Sequence, residues 1–432
     1  MSTFRARTCA RGKAGQVPPL NDLLSPRMVS SLFDYDVIIA GGGPAGASAA
    51  IHLAMRGARV LLAEQKKFPR AKLCGEFISP ECALHFERLG VVDRMLAAEP
   101  ARLTETAFYS RNGKNVRVPS TWFGAGGIAL GLSRAEMDER LLRRASDVGA
   151  QVREDAQVVE LLFEEKRVCG VKLKSSGAEE LYRAPITIDA TGRARALARL
   201  VGRHRNRSQP RRAPLVAFKA HLEGARVAPG ACEIYFYRGG YGGLSSIENG
   251  LSNLCFIASA RDVRASNADA ERVMREIVCR NRRAAHTLAH AQVRSSWLAV
   301  SLDGFGRHHV APAAGLFAIG DAASFIDPFT GSGMLMALES GELAAQVIID
   351  CLEAIRAGRQ LSELEIKYRA VYKQRFNQRL RICSLMRRAA FIPGLAELAI
   401  GFFGASDRLR RRLTLATRYN SRTNLPPLVS NK

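Results

Sequence analysis

The spacing with the most chemistry in it lies early in the chain. Tyr35-Asp36-Val37-Ile38-Ile39-Ala40 is a short run rich in β-branched residues. It passes directly into Gly41-Gly42-Gly43-Pro44-Ala45-Gly46, after which Ala47 to Met55 reads as a helix. Gly41 permits a tight turn, Gly43 lets a pyrophosphate approach the backbone, and Gly46 lets the helix pack closely on the strand. The helix N-terminus offers N–H groups and a positive dipole end to phosphate. A second strand, Ala58-Arg59-Val60-Leu61-Leu62-Ala63, ends at Glu64, where a carboxylate accepts ribose hydroxyls and repels a 2′-phosphate. Strand, glycines, helix, strand and acid in that order point to a dinucleotide site, and the acid disfavours NADP in it.

Later segments turn that reading toward a flavin. Phe68-Pro69-Arg70-Ala71-Lys72-Leu73-Cys74-Gly75-Glu76 follows the second strand, and Leu132-Ser133-Arg134 opens a helix with an arginine in its first turn. Ile186-Thr187-Ile188-Asp189-Ala190-Thr191-Gly192 is a strand ending in a turn. Leu316-Phe317-Ala318-Ile319-Gly320-Asp321 delivers a carboxylate suited to a ribityl hydroxyl. Gly331-Ser332-Gly333-Met334 then begins an alanine-rich helix, whose N-terminus suits the isoalloxazine N1/C2=O edge, where negative charge collects on reduction.

With these motifs the chain resembles the FAD-dependent oxidoreductases of the geranylgeranyl reductase, aromatic hydroxylase and flavin-dependent halogenase superfamily. It is most similar to the geranylgeranyl reductase-like branch, from Asp34 to about Val347. The resemblance implies an α/β fold with a Rossmann-type FAD-binding domain of the para-hydroxybenzoate hydroxylase kind, an antiparallel-sheet substrate domain and a C-terminal helical region. It implies tightly bound FAD, with Gly41, Gly43, Ala45 and Gly46 along the pyrophosphate and Glu64 on the adenosine ribose. Cys74 and Gly75 would stand on the flavin side, Arg134 at the phosphates or ribityl chain, and Val158 at the adenine through its backbone. Asp321, Gly333 and Met334 would line the ribityl chain and ring.

Two departures bear on the reaction. Asp189-Ala190-Thr191-Gly192 is similar to the reductase and halogenase form, whereas hydroxylases often carry Asp-Gly. Gly240-Tyr241-Gly242-Gly243-Leu244 stands where reductases carry a Tyr-x-Trp-x-Phe-Pro pattern, so Gly243 replaces a bulky indole and leaves room for a ring. Trp122 and Trp297 are the only tryptophans, so the halogenases' Trp-x-Trp-x-Ile-Pro is absent and halogenation is not expected. The favoured reaction is an NAD(P)H-using monooxygenation of a hydrophobic aromatic, polyketide or lipid-like molecule. Reduction of isoprenoid double bonds is the alternative, and a non-enzymatic FAD-binding electron-transfer or docking protein is the reading from another class.

The catalytic residue stays unassigned, because flavins carry the hard step themselves. The eight histidines show neither metal spacing nor a nucleophile motif, so no metal is expected. Cys74 reads as close packing beside the flavin rather than a redox thiol, since no cysteine stands at CxxC spacing. No second glycine fingerprint follows, so NAD(P)H would bind transiently or a protein would donate electrons.

The elements that must position these groups divide the chain. Residues 34–100, 129–200 and 301–350 read as the FAD-binding domain, and 101–128 with 201–300 as the substrate domain. Short β-type runs separated by glycines suggest that the latter is a sheet over the flavin. Tyr235, Tyr237 and Tyr241 share parity along one run; such a row could line a substrate cavity or finish a sheet face. Tyr237, Tyr241 and Gly243 are the weak substrate candidates.

From Glu363 onward Leu364, Tyr368, Tyr372, Phe376 and Leu380 recur every fourth residue among basic residues, a helical pattern. The apolar run 389–404 that follows, bracketed by Arg387-Arg388 and Arg408 to Arg412, reads either as an interfacial element or as a helical hairpin closing the substrate cavity. No apolar run is long enough to span a bilayer.

The formal net charge is +24, from 64 Lys plus Arg against 40 Asp plus Glu. Residues 1–33, 193–212 and 351–432 account for all of it, leaving a neutral body with basic attachments rather than a nucleic-acid binder. The 1–33 segment reads as a disordered tail, a transit-like leader or an over-long start before Met28. Nine irregularly spaced cysteines suit a reducing compartment. The expectation is a cytoplasmic protein with peripheral contact to the inner face of the membrane through 363–412.

Overall fold

The computed structural model describes residues 33–123, 127–202, 215–303, 305–327, 331–357, 361–390, 394–404 and 406–416. At its centre is a five-stranded parallel sheet in the order Leu316–Ala318, Ile186–Asp189, Val37–Ala40, Val60–Ala63, Gln151–Arg153. The first four are buried along their whole length. That is why they read as unbroken apolar runs: both faces are covered. On one face lie α1 (Pro44–Ala54), α2 (Arg134–Asp147), α3 (Gly333–Ile349) and α4 (Leu361–Ala390), sharing one core with Val37, Ile39, Val60 and Leu62. On the other face Ile38, Ala40, Leu61 and Ala63 pack against the antiparallel strands Ala156–Glu164 and Arg167–Ser175.

The predicted four-residue repeat of α4 is the buried stripe. Leu364, Tyr368, Tyr372 and Phe376 are at most 2% exposed. Tyr368 Oη donates to Ala318 O at 2.7 Å, Tyr372 Oη meets Ser324 Oγ at 2.9 Å, and Arg379 Nη1 donates to Glu339 Oε2 at 2.7 Å. This C-terminal helix is therefore part of the cofactor domain's core. Beyond it, α5 (Leu395–Gly404) and α6 (Asp407–Ala416) fold back toward the strand Asn115–Pro119.

The sheet expected to form the substrate domain has eight strands, centred on Leu215–Glu223, Ser252–Ser259, Gly240–Ser246 and Ala231–Tyr237, then Glu105–Tyr109 and Asn115–Pro119. It is antiparallel as expected except at one junction, where Ala231–Tyr237 runs parallel to Glu105–Tyr109. Its back packs on the helices Ala270–Glu276 and Arg282–Leu288. Its front faces the cofactor domain. No helix among the described residues is long and apolar enough to cross a membrane.

Candidate functional site

The glycine turn is built as its sequence requires. Gly41 has φ +108°, and a Cβ there would stand 2.4 Å from Ala190 O; one at Gly46 would stand 1.9 Å from Gly41 O. No larger residue fits either place. Gly43 is the N-cap of α1 and makes no side-chain cap, so the first-turn N–H groups face the cleft. Glu64 is tied to this turn: its carboxylate accepts Gly42 N–H at 2.8 Å and Lys66 N–H at 3.0 Å.

Charges alternate along the cleft wall. Arg70 reaches Glu64 at 3.5 Å and Asp138 at 3.6 Å, and Arg134 grips Asp138 with two bonds of 2.7 Å. Burial alone would lower the Arg134 pKa, but Asp138 outweighs it and fixes the guanidinium charged. Its Nη2 lies 3.9 Å from the position a Gly43 Cβ would take, beside the phosphate end of α1. Lys72 is exposed to solvent, with Arg134, Arg70, Asp321 and Asp138 among its charged neighbours. Burial pushes Asp321 up, and Lys72, Arg134 and Arg193 offset only part of the rise. A Cβ at Gly75 or Gly333 would touch nothing within 4 Å, so both border open space.

Between cleft and sheet stands Glu76, fully buried at φ +53°. Its carboxylate takes Lys219 Nζ at 2.5 Å, Arg134 N–H at 2.8 Å and His221 Nε2 at 2.8 Å. Burial would raise its pKa, but His221 and Lys219 hold it below the usual carboxylate value. Those bonds over-determine a left-handed backbone conformation that a glutamate otherwise avoids. They also join the Cys74 loop, the start of α2 and the substrate sheet at one point.

Register orders the sheet's front into rows. His221, Asn253, Ser245 and Cys232 form one; Lys219, Cys255, Gly243, Ile234 and Phe108 the next; Ala217, Ile257, Tyr241 and Phe236 the third. The front thus grades from polar to apolar. Leu215, Val116, Phe325 and Ile400 extend the apolar end. Tyr241 Oη is hydrogen-bonded there to Asp327, a buried carboxylate on the segment leading to α3. In the polar row Asn253 Nδ2 donates to Cys74 O at 3.1 Å, while Asn253 Oδ1 and Ser245 Oγ are buried without a partner.

A family model described as an FAD binding domain matches residues 34–371. The chain belongs to that family. Among its relatives, menaquinone reductase of Mycolicibacterium smegmatis is 28% identical over 344 residues, 72% of this chain and 76% of that protein. Digeranylgeranylglycerophospholipid reductase 2 of Methanopyrus kandleri is 28% identical over 335 residues, covering 74% and 78%. A triple mutant of the flavin-dependent brominase Bmp2 superposes with a TM-score of 0.73 at 21% identity, covering 89% and 94%, a likeness of fold.

The cleft of this FAD-binding protein fits its cofactor. A glycine turn at a helix N-terminus with Arg134 beside it suits a pyrophosphate, and the open space at Gly75 and Gly333 leaves passage for the rest. Of the residues expected to hold the cofactor, Gly41, Gly43 and Gly46 form the turn, Ala45 is buried in the first turn of α1, Glu64 is bonded to Gly42 and Arg134 lies beside Gly43, while Gly75 borders open space, Cys74 O accepts from Asn253 and Asp321 has Lys72, Arg134 and Arg193 as charged neighbours. Gly333 and Met334 begin α3, with Met334 buried in the main core. Val158 is on the edge strand Ala156–Glu164, its side chain turned into the core behind the parallel sheet.

The tyrosine row is corrected. The turn at Arg238-Gly239 splits the run into two strands of a hairpin, so cross-strand register and not parity along the chain sets the faces. Tyr235 and Tyr237 point into the back core, where Tyr237 Oη donates to Ile257 O at 2.9 Å. Only Tyr241 of the three faces the cofactor domain. The room at Gly243 is also smaller than expected, since a Cβ there would lie 3.1 Å from Ile234 Cδ1.

Sequence reading missed Glu76, Lys219, His221 and Asp327. A charged residue alternating with apolar ones in Phe218-Lys219-Ala220-His221-Leu222 carried a signal: on a strand, Lys219 and His221 share a face. Of the arginine-rich stretch 193–212, residues 203–212 lie outside the described residues, as do 1–32. Arg193 is placed, its guanidinium 5.3 Å from the Phe325 ring centre.

Proposed function

We propose that this FAD-dependent oxidoreductase reduces a carbon–carbon double bond of a hydrophobic, isoprenoid-bearing substrate laid along the apolar row of the sheet. The observation that carries the reading is the polar-to-apolar grading of a buried front face opposite the cofactor cleft. Relatives named as reductases of menaquinone and of digeranylgeranylglycerophospholipid support it. Reduced FAD supplies hydride chemistry when bound. Ala217, Ile257, Phe236 and Val116 exclude water from the substrate, and the polar row at His221 and Asn253 suits its polar end. Tyr241 Oη, paired with Asp327, holds a proton where saturation of the second carbon needs one. NAD(P)H or a protein donor is the reductant in this reading.

Hydroxylation is the second reading, favoured by glycine in place of an indole at Gly243. Ile234 takes part of that room. One experiment separates the two: FAD-loaded protein, reductant and polyprenyl quinones or lipids, with products read by mass spectrometry with and without oxygen. Gain of two hydrogens under anaerobic conditions is expected; gain of one oxygen atom only in air would replace reduction by hydroxylation.

A further inference from the structure

α5 divides sharply by face. Ile400 is 5% exposed, packed in the front cluster that includes Tyr241 and Phe236, whereas Leu398 and Phe402 are 71% and 64% exposed. Two positions along a helix are about 200° of turn, so both side chains point away from Ile400, and being four apart they share a face. Near the end of α4 Leu385 is 64% exposed, and on α6 Leu415 is 49% exposed. Exposed Arg388, Arg408, Arg411 and Arg412 flank this apolar strip.

The arm is a fixed platform. Arg387 of α4 lies over the Phe305 ring at 4.5 Å and Arg410 of α6 over Trp122 at 5.9 Å, fastening the helices on either side of α5 to the body, and α5 itself packs on the strand Asn115–Pro119. Large apolar side chains standing out on a fastened helix, ringed by arginines, are the makeup of an interfacial element. The apolar groups sink to the acyl boundary and the arginines meet lipid phosphates. A second copy of so basic a surface would be repelled by its like.

We propose that α5 and α6 seat the protein on an anionic lipid bilayer, with Leu398 and Phe402 immersed. A polyprenyl substrate would then leave the membrane beside the helix whose inner side, at Ile400, already borders the substrate face. The inference deepens the reductase reading and rests on it for the substrate's nature, but its test involves no turnover.

The test is co-sedimentation of the full chain with vesicles of phosphatidylcholine alone or containing phosphatidylglycerol. Binding to the anionic vesicles that falls with salt is expected. L398E/F402E should weaken it by ~10-fold or more, and R408Q/R411Q/R412Q by about two orders of magnitude at low salt. Flavin content equal to wild type certifies that each variant is folded; if L398E/F402E loses flavin, L398S/F402S takes its place. Failure of the wild type to sediment with either vesicle overturns the proposal, as does equal binding by the apolar variant. A wild-type dimer split by L398E/F402E in sedimentation velocity assigns the surface to a second copy and overturns it too.

Discussion

On the back of the substrate sheet, buried Glu233 is held by Arg283 at 2.6 Å, Tyr235 Oη at 2.7 Å and Thr287 Oγ1 at 3.2 Å, all from its own domain. On the front, buried Glu76 is held by Lys219 and His221 from the sheet and by the α2 backbone from the cofactor domain. Both carboxylates are fully buried and both lie below their ordinary pKa. They differ in what they join. The same chemistry that staples one core behind the sheet couples two domains in front of it, so equal burial does not mean equal consequence for function.

The sharpest way to break this comparison is to neutralise each acid. E76Q leaves the buried Lys219 ammonium without its counter-charge and should lose about 3–5 kcal/mol in denaturant melts, whereas E233Q does so only to the partly exposed Arg283 and should lose about 1–3 kcal/mol. Only E76Q should also lower the flavin content of the folded fraction, because only Glu76 braces Arg134 and the Cys74 loop. Equal flavin retention in both would dissolve the distinction. Next comes the tyrosine pair. Y241F should cut turnover by ~100-fold or more with flavin still bound, whereas Y237F should leave turnover intact and cost about 1 kcal/mol of stability.

Acid titration gives a smaller effect. Burial raises the Glu76 carboxyl, but His221 and Lys219 outweigh it and hold it below 4.5. Its stabilisation is therefore complete above that value and fades as pH falls beneath it. Melting temperature followed downward through pH 4.5 should fall more steeply in wild type than in E76Q. Smallest is G243A, whose Cβ asks Ile234 to give by a few tenths of an ångström. It should shift KM for a bulky substrate and lower stability by about 1 kcal/mol or less in denaturant melts, since the atom that must yield is the flexible end of the Ile234 side chain.

Much of the cofactor half was legible in the sequence because its constraints are local. The left-handed turn at Gly41 and the contact of Gly46 with Gly41 lie in one short segment, and Glu64 reaches Gly42 from 22 residues on, a separation that the strand, helix and strand pattern itself sets. The buried stripe of α4 was legible for the same reason, since a helical period needs no partner to be seen. The substrate half was less so. Which face Tyr237 takes depends on where the hairpin turn falls and on its bond to Ile257 O, 20 residues on, and Glu76 draws its partners from 143 and 145 residues away. No window along the chain holds both ends of such a bond. Gly243 shows the limit from another side: the absent indole was visible, while Ile234 leaning into its room was not.

The order in which the parallel sheet is assembled carries a consequence for the newborn protein. One edge strand, Leu316–Ala318, and the helix whose Tyr368 bonds Ala318 leave the ribosome long after the glycine turn and its two flanking strands. A nascent chain can present the glycine turn early, yet its nucleotide half stays unroofed until α4 arrives. A chain stopped short of Phe376 is therefore expected to expose apolar surface of the parallel sheet's core and to bind FAD poorly, because Tyr368, Tyr372 and Phe376 are buried in that core.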